Sequence, residues 1–233
     1  MVEIWSDIVC PWCYIGKRRF EAALADFDHR DGVEVVWRSF ELDSAAPAVR
    51  EGDYAAHLAS KYRVPVSEAD AMIEQMTAVG AQSGLDLRFD IARPGNTFDA
   101  HRLLHLGAER GVQDRLKERL LAATFTEGAP IGDRETLAGL AVDAGLDGDE
   151  AESVLGTGRY AEQVRADQQE AAGYGITGVP FFVVDATYGV SGAQSPEVLV
   201  EVLERARAAA SQSAAAVSDA GTDACGEGDV CGT

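Results

Sequence analysis

The sequence predicts an α/β protein whose sheet is interrupted by an inserted all-helical domain. A strand–helix–strand pattern fills the opening segment, helical periodicity without strands fills the middle, and a helix, two short strands and a last helix close the chain.

The opening strand is Val2-Glu3-Ile4-Trp5-Ser6. A helix follows over residues 14–27, with Phe20, Ala23, Leu24 and Phe27 on one apolar stripe. His29 to Gly32 breaks it, and residues 33–40, β-branched and aromatic, read as the second strand. Strand, helix and strand in so short a span make a βαβ unit with parallel strands and a right-handed crossover.

Residues 45–53 are rich in Ala, Pro and Gly and read as loop. The next segment, up to about Gly156, carries helix patterns. Ser67 is the expected N-cap of one helix, with Asp70 three residues on. Residues 97–110 form another, ended by Gly111, and Val112, Leu116, Leu120 and Ala123 mark the stripe of the next. Asp133 caps a helix bearing Leu137, Leu140 and Ala144, stopped by Gly145, and residues 149–155 form a short one. Residues 85–94 read as loop or extended chain.

Residues 159–172 return to a helix, closed by Gly173-Tyr174-Gly175. Residues 178–185, with Pro180 near their start, are the third strand; Tyr188-Gly189-Val190-Ser191 is the fourth, antiparallel to it across a tight turn. Ser195 caps the last helix, Pro196 stands at its first position, and Val198, Leu199, Val202 and Leu203 face inward. Residues 208–233 hold almost no large apolar side chain and are expected to be disordered. The expected plan is a discontinuous domain of residues 1–44 and 157–207, a helical insertion of residues 45–156, and a tail of residues 208–233.

With 39 acidic against 20 basic residues the net charge is −19, which argues against nucleic acid or an anionic membrane as partner. No apolar run approaches the roughly 20 residues needed to span a bilayer. The first residues lack the basic and apolar regions of a signal peptide, so a cytoplasmic setting is expected. Four cysteines in 233 residues are too few for a disulfide scaffold.

The chemistry points to Cys10-Pro11-Trp12-Cys13, between the first strand and the first helix. A cysteine at a helix N-cap faces unpaired backbone N–H groups and the positive end of the helix dipole, which favour thiolate. Pro11 suits the first helical position, and Cys13, one turn on, can reach back to close a disulfide. Such a pair is also half of a zinc site, but its place between strand and helix favours redox chemistry.

The βαβ start, the CPWC stretch and Gly178-Val179-Pro180 together resemble the thioredoxin superfamily, and more closely its DsbA-like branch of FrnE-type oxidoreductases, over about residues 2–206. Trp37-Arg38-Ser39-Phe40-Glu41-Leu42, Asn96-Thr97 with Ala100-His101, and Gly175-Ile176-Thr177-Gly178-Val179-Pro180 are similar to that group. The resemblance implies a thioredoxin fold, a dithiol of Cys10 and Cys13, and a cis Val179–Pro180 bond beside it. Pro11, Trp12, Val179 and Pro180 would then meet the substrate, with the Val179 backbone pairing to an extended chain.

Two departures stand out. Many relatives keep a buried carboxylate six residues before the nucleophile, where this chain has Ile4. Asp7 is nearer to Cys10; as a solvated loop acid it has no role, and as an anion it raises the thiol pKa. Trp12 stands where periplasmic oxidants carry His, and a neutral indole supplies no positive charge, so Cys10 is expected to be less acidic and the disulfide less oxidising.

The reading is thus a thiol–disulfide oxidoreductase acting on disulfide-bearing proteins or small thiols, with no tightly bound cofactor, no metal, and a low-molecular-weight thiol as an available electron donor. One alternative is a thiol-cofactor-dependent isomerase or transferase similar to 2-hydroxychromene-2-carboxylate isomerases and kappa-class glutathione transferases, with Asn96 and His101 lining the cofactor pocket. Those relatives carry Ser where Cys10 stands and lack the second thiol. Another is a zinc-binding or chaperone-like module using Cys10, Cys13, Cys225 and Cys231. The tail pair, Cys225 and Cys231, is otherwise a candidate accessory redox couple on a flexible tether.

Overall fold

A computed structural model of the protein describes residues 1–50 and 52–220. Its opening unit is β1 (Val2–Ser6), α1 (Pro11–Asp26) and β2 (Val35–Ser39). The insert carries α2 (Tyr54–Tyr62), α3 (Val66–Gln82), α4 (Phe98–Glu109), α5 (Gln113–Phe125), α6 (Arg134–Asp143) and α7 (Gly148–Gly156). The chain closes with α8 (Ala161–Gly173), β3 (Phe181–Val184), β4 (Tyr188–Ser191) and α9 (Pro196–Ala220). The sheet order is β2-β1-β3-β4. β1 pairs parallel with β2 and antiparallel with β3, and β3 pairs antiparallel with β4.

All five residues of β1 are buried, because helices cover both faces of the sheet. Val2 and Ile4 join Trp37, Phe182 and Val184 in a core closed by Phe20 and Ala23 of α1, by Phe27 just past its end, and by Leu199, Leu203 and Ala206 of α9. Trp5 and Val183 point the other way, against Ala171 of α8 and Ile176. Each large apolar side chain so removed from water contributes about 2 kcal/mol. The Trp5 indole N–H, buried with its ring, donates to the Asp167 carbonyl at 2.9 Å.

The insert packs directly on the dithiol unit. One of its cores gathers α4 to α7 and includes Ile8, just after β1. The other joins α2, α3, the 85–92 segment and the end of α5 to Tyr14 and Ile15 of α1. The expected loop or extended chain at residues 85–94 lies here, with Leu85, Leu87, Phe89 and Ala92 buried. At β2, the Gln113 side chain of α5 meets both backbone groups of Trp37: Oε1 accepts from its N–H at 3.0 Å and Nε2 donates to its carbonyl at 2.9 Å.

Several boundaries differ from the sequence reading. α3 begins at Val66 with Pro65 as its N-cap, not Ser67. Arg63 ends α2 in the left-handed region at φ 57°, leaving two residues before the next helix must start, and a proline suits the position before it. α7 is capped by Asp147, whose side chain accepts from the Glu150 N–H at 3.0 Å. Asp133 caps α6 as expected, accepting from the Thr136 N–H at 2.8 Å. α9 runs on to Ala220, where disorder was expected from residue 208. That expectation weighed buried area alone, whereas alanine-rich chain extends an already docked helix at little cost. Cys225 and Cys231 lie outside the described residues. No described helix is long and apolar enough to cross a membrane.

Candidate active site

Cys10 is the N-cap of α1, in an extended conformation (φ −104°, ψ 110°), with Pro11 in the first turn. Its carbonyl accepts from the Cys13 N–H at 3.0 Å, which bends the chain so that the two cysteines approach to 3.4 Å. Cys10 keeps 5% exposure and Cys13 none, so only Cys10 can be met from outside. Trp12 stands between them at the rim, 36% exposed.

The Val179–Pro180 bond is cis. The Cys10 thiol donates to the Val179 carbonyl at 3.5 Å. Pro180 is pressed against α1 at Gly16, where an added Cβ would stand 2.8 Å from the proline Cγ. A glycine on this helix face is what lets the dithiol helix and the proline lie side by side. Cys10, Pro11 and Trp12 open on a cleft of about 450 Å³, whose insert wall carries Arg50, Tyr54, His57 and Lys61. Arg50 is paired with Asp43 at 2.7 Å. Burial, then the charges of Arg50 and Lys61, hold His57 below the ordinary histidine range. The burial of Tyr54 raises its phenol well above the usual value, and charge on Cys10 pushes the same way.

Asp7 is a buried group, not a solvated loop acid. Its Oδ1 accepts from the Ile8 N–H and its Oδ2 from the Leu42 N–H, both at 2.7 Å. His101 of α4, fully buried, sets Nε2 3.3 Å from Asp7 Oδ1, while its Nδ1 has no partner among the described residues. Burial alone would raise the Asp7 carboxyl; the hydrogen bond and charge of His101 and the Leu42 N–H outweigh it and hold the group below the carboxylate range. Asn96 is not brought to the dithiol. Its amide nitrogen faces the Ser44 and Ala46 carbonyls at 3.4 and 3.3 Å, and its oxygen accepts from the Phe98 N–H at 3.0 Å, at the start of α4.

A buried cation that the sequence reading missed completes the floor. Lys117 of α5 is fully buried, with Nζ donating to the Ser6 carbonyl at 3.3 Å and lying 5.5 Å from the centre of the Trp37 ring. It follows Leu116 on the apolar stripe of α5, and a lysine there reads from sequence as solvent-facing.

The electrostatics of the two thiols reverse the simple N-cap expectation. The hydrogen bond with Cys13 raises the Cys10 thiol most, with burial and the charges of Cys13 and Asp7 adding to it; the Cys13 N–H at the helix start opposes them. Burial also acts to raise Cys13, but the hydrogen bond from Cys10, the Lys117 charge and the Ser6 hydroxyl bring it below its ordinary value. The two thiols therefore titrate as a coupled pair that shares its first proton loss.

Residues 1–204 match the DSBA-like thioredoxin domain model. The chain belongs to the DsbA-like thioredoxin family. A probable DsbA oxidoreductase from Streptomyces coelicolor is 49% identical, covers 89% of each chain and superposes with a TM-score of 0.85. The YwbO protein of Bacillus subtilis is 29% identical over 208 residues, 87% of this chain and 94% of that one. The cytosolic disulfide reductase DsbM from Pseudomonas aeruginosa, solved with GSH, shares the fold at 17% identity and a TM-score of 0.61, over 88% of this chain and 97% of that one. Among the described residues no group of three or more His, Cys, Asp or Glu is arranged to hold a metal.

Proposed function

We propose that this DsbA-like protein exchanges disulfides through Cys10 and Cys13. The observation that carries the reading is the seat of Cys10: a thiol at a helix start, against the carbonyl of the residue before a cis proline, at the floor of an open cleft, with a second thiol 3.4 Å behind it. Movement of the Cys10 proton to Cys13 makes Cys10 the attacking thiolate. It forms a bond to one substrate sulfur while the other departs as a thiolate and takes the proton from Cys13, which is left as a thiolate. Cys13 then attacks Cys10, the internal disulfide forms, and the substrate sulfur leaves; two electrons have passed to the substrate. The Val179 carbonyl, freed from the Cys10 thiol, becomes an acceptor for an extended substrate backbone. Pro11, Trp12 and Pro180 form the apolar rim it crosses.

The electron donor we propose is an anionic low-molecular-weight thiol, because Lys61, with Arg50 beside its partner Asp43, places cationic groups on the cleft wall of an acidic protein. Asp7 and His101 serve from beneath as a buried pair. Asn96 supports a loop and is withdrawn from the site proposal. Cys225 and Cys231 remain a proposed accessory pair. The cytoplasm is the proposed compartment, on the small number of cysteines and the reducing chemistry they suit. The isomerase alternative is disfavoured by the second thiol, which that chemistry does not need.

Insulin reduction with a thiol donor tests the reading. The wild type should accelerate it, and Cys10→Ser should fall to the uncatalysed rate. Undiminished activity in that variant removes the proposal.

A further inference from the structure

We propose that Lys117, reaching from the inserted helix α5, is the counter-charge of the reduced dithiol, so that its ammonium is paired while the Cys10–Cys13 pair carries a thiolate and loses its partner when the disulfide forms. The inference rests on the disulfide-exchange reading above and adds to it a positioning residue supplied by the insert.

The contrast with Lys17 shows why. Both side chains are buried. Lys17 is surrounded by carboxylates: Glu21, Asp114 at 3.3 Å and Glu118 at 3.2 Å. Lys117 meets only a carbonyl and an indole face, neither carrying net charge, and no carboxylate pairs with it among the described residues. An ammonium taken out of water without an anion is costly, and the usual response is to give up the proton.

The charged and titratable groups facing it are few. From α1 they are Cys13, Cys10 and the like-charged Lys17, and from the loop after β1, Asp7. β2 offers the uncharged Trp37 ring, and α4 offers His101, which lies against Asp7. Asp7 is already engaged by two backbone N–H groups and His101. On α5 itself, Asp114 faces Lys17 and the Trp37 indole, and Glu118 faces Lys17, Arg18 and Tyr14. The anion left for Lys117 is the dithiol. Burial pushes the amine down to about 8, while the thiols and Asp7 pull it upward.

The step balances as follows. The reduced site holds one thiolate in the Cys10–Cys13 pair and Lys117 as ammonium. When Cys13 attacks Cys10 in the mixed disulfide, the Cys10–Cys13 bond forms, the bond to the substrate sulfur breaks, and that sulfur leaves with the electron pair. Lys117 now has no thiolate beside it and releases its proton, which the departing thiolate or water takes. Reduction of the disulfide returns one proton to Lys117. The ammonium therefore stabilises the reduced form and not the oxidised one.

The test is Lys117→Met, with the thiolate followed by its ultraviolet absorbance and the dithiol–disulfide equilibrium measured in a glutathione buffer. Neither readout needs a substrate protein, so their failure is distinct from failure of the insulin assay. The expected results are at least tenfold less thiolate at neutral pH and an equilibrium shifted about tenfold toward the disulfide, roughly 30 mV for a two-electron couple. A folded variant with unchanged thiolate titration and unchanged equilibrium overturns the proposal, since a merely structural lysine would move neither. Should the variant not fold, isotope-labelled lysine NMR on the wild type decides. The Lys117 midpoint should fall by one pH unit or more on oxidation, and a midpoint that does not move overturns the proposal.

Discussion

Adding one methyl group at Gly16 should separate the dithiol helix from the proline beside it. The new Cβ would stand 2.8 Å from Pro180 Cγ, where ordinary contacts begin at 3.4 Å. The obstacle is a ring held in the chain, not the tip of a flexible side chain. Overpacking of this kind costs about 1–3 kcal/mol. Against it stands the gain from replacing glycine by alanine inside a helix, about 1 kcal/mol. Gly139 of α6 supplies the control, because an added Cβ there meets nothing within 4 Å. Gly139→Ala should therefore stabilise by up to about 1 kcal/mol, and Gly16→Ala should be the less stable of the two by about 1–3 kcal/mol, the overpacking cost alone. Urea denaturation of both variants and the wild type measures the difference through the midpoints at constant m. Gly16→Ala should also slow insulin reduction, since the proline it displaces borders Cys10. Equal stabilisation by the two alanines would refute the close approach.

Asp7→Ala leaves the Ile8 and Leu42 N–H groups without their acceptor and should cost about 2–6 kcal/mol, at roughly 1–3 for each donor. The folded Asp7 carboxyl lies below its unfolded value of about 3.9, so its contribution is fully present above that pH and fades as pH falls through the folded value. The gap in urea stability between wild type and variant should be flat from about pH 5 to 8 and shrink below about pH 4; a gap that widens on acidification would contradict the sign. Cys13→Ser should trap the mixed disulfide with Cys10, visible as a mass adduct of the substrate; resolution at the wild-type rate would remove Cys13 from its role. Lys61→Gln should raise the KM for glutathione as donor severalfold while leaving kcat little changed, and high salt should do the same to the wild type; unchanged kinetics would argue that the positive wall does not meet the donor.

What the sequence could reveal tracks how local the cause is. β1 and β4 fall on their expected residues, and Asp133 caps α6, because alternation and capping act within a few positions. The dithiol and the cis proline were legible from motif and resemblance. Asp7 was not, because its burial depends on Leu42 from the loop after β2 and His101 from the insert, both distant in the chain. Lys117 was hidden for the same reason: only the docking of α5 against Ser6 and Trp37 turns a nominally surface lysine inward. The directions of the two thiol shifts were hidden too, because the hydrogen bond between the sulfurs, their burial and the Lys117 charge together set them. α9 overran its expected end because composition was weighed for burial and not for helix propensity.

The Gln113 amide that grips Trp37 has a consequence for solubility. β2 is an outer strand, and an outer strand with open backbone groups is a template on which another chain can dock by edge-to-edge growth. At Trp37 both groups are occupied by a side chain that mimics a neighbouring peptide, and a second copy would have to evict it before the sheet could lengthen there. The insert thereby plugs the rim of the sheet at its midpoint, using one amide where another protein would need a whole extra strand.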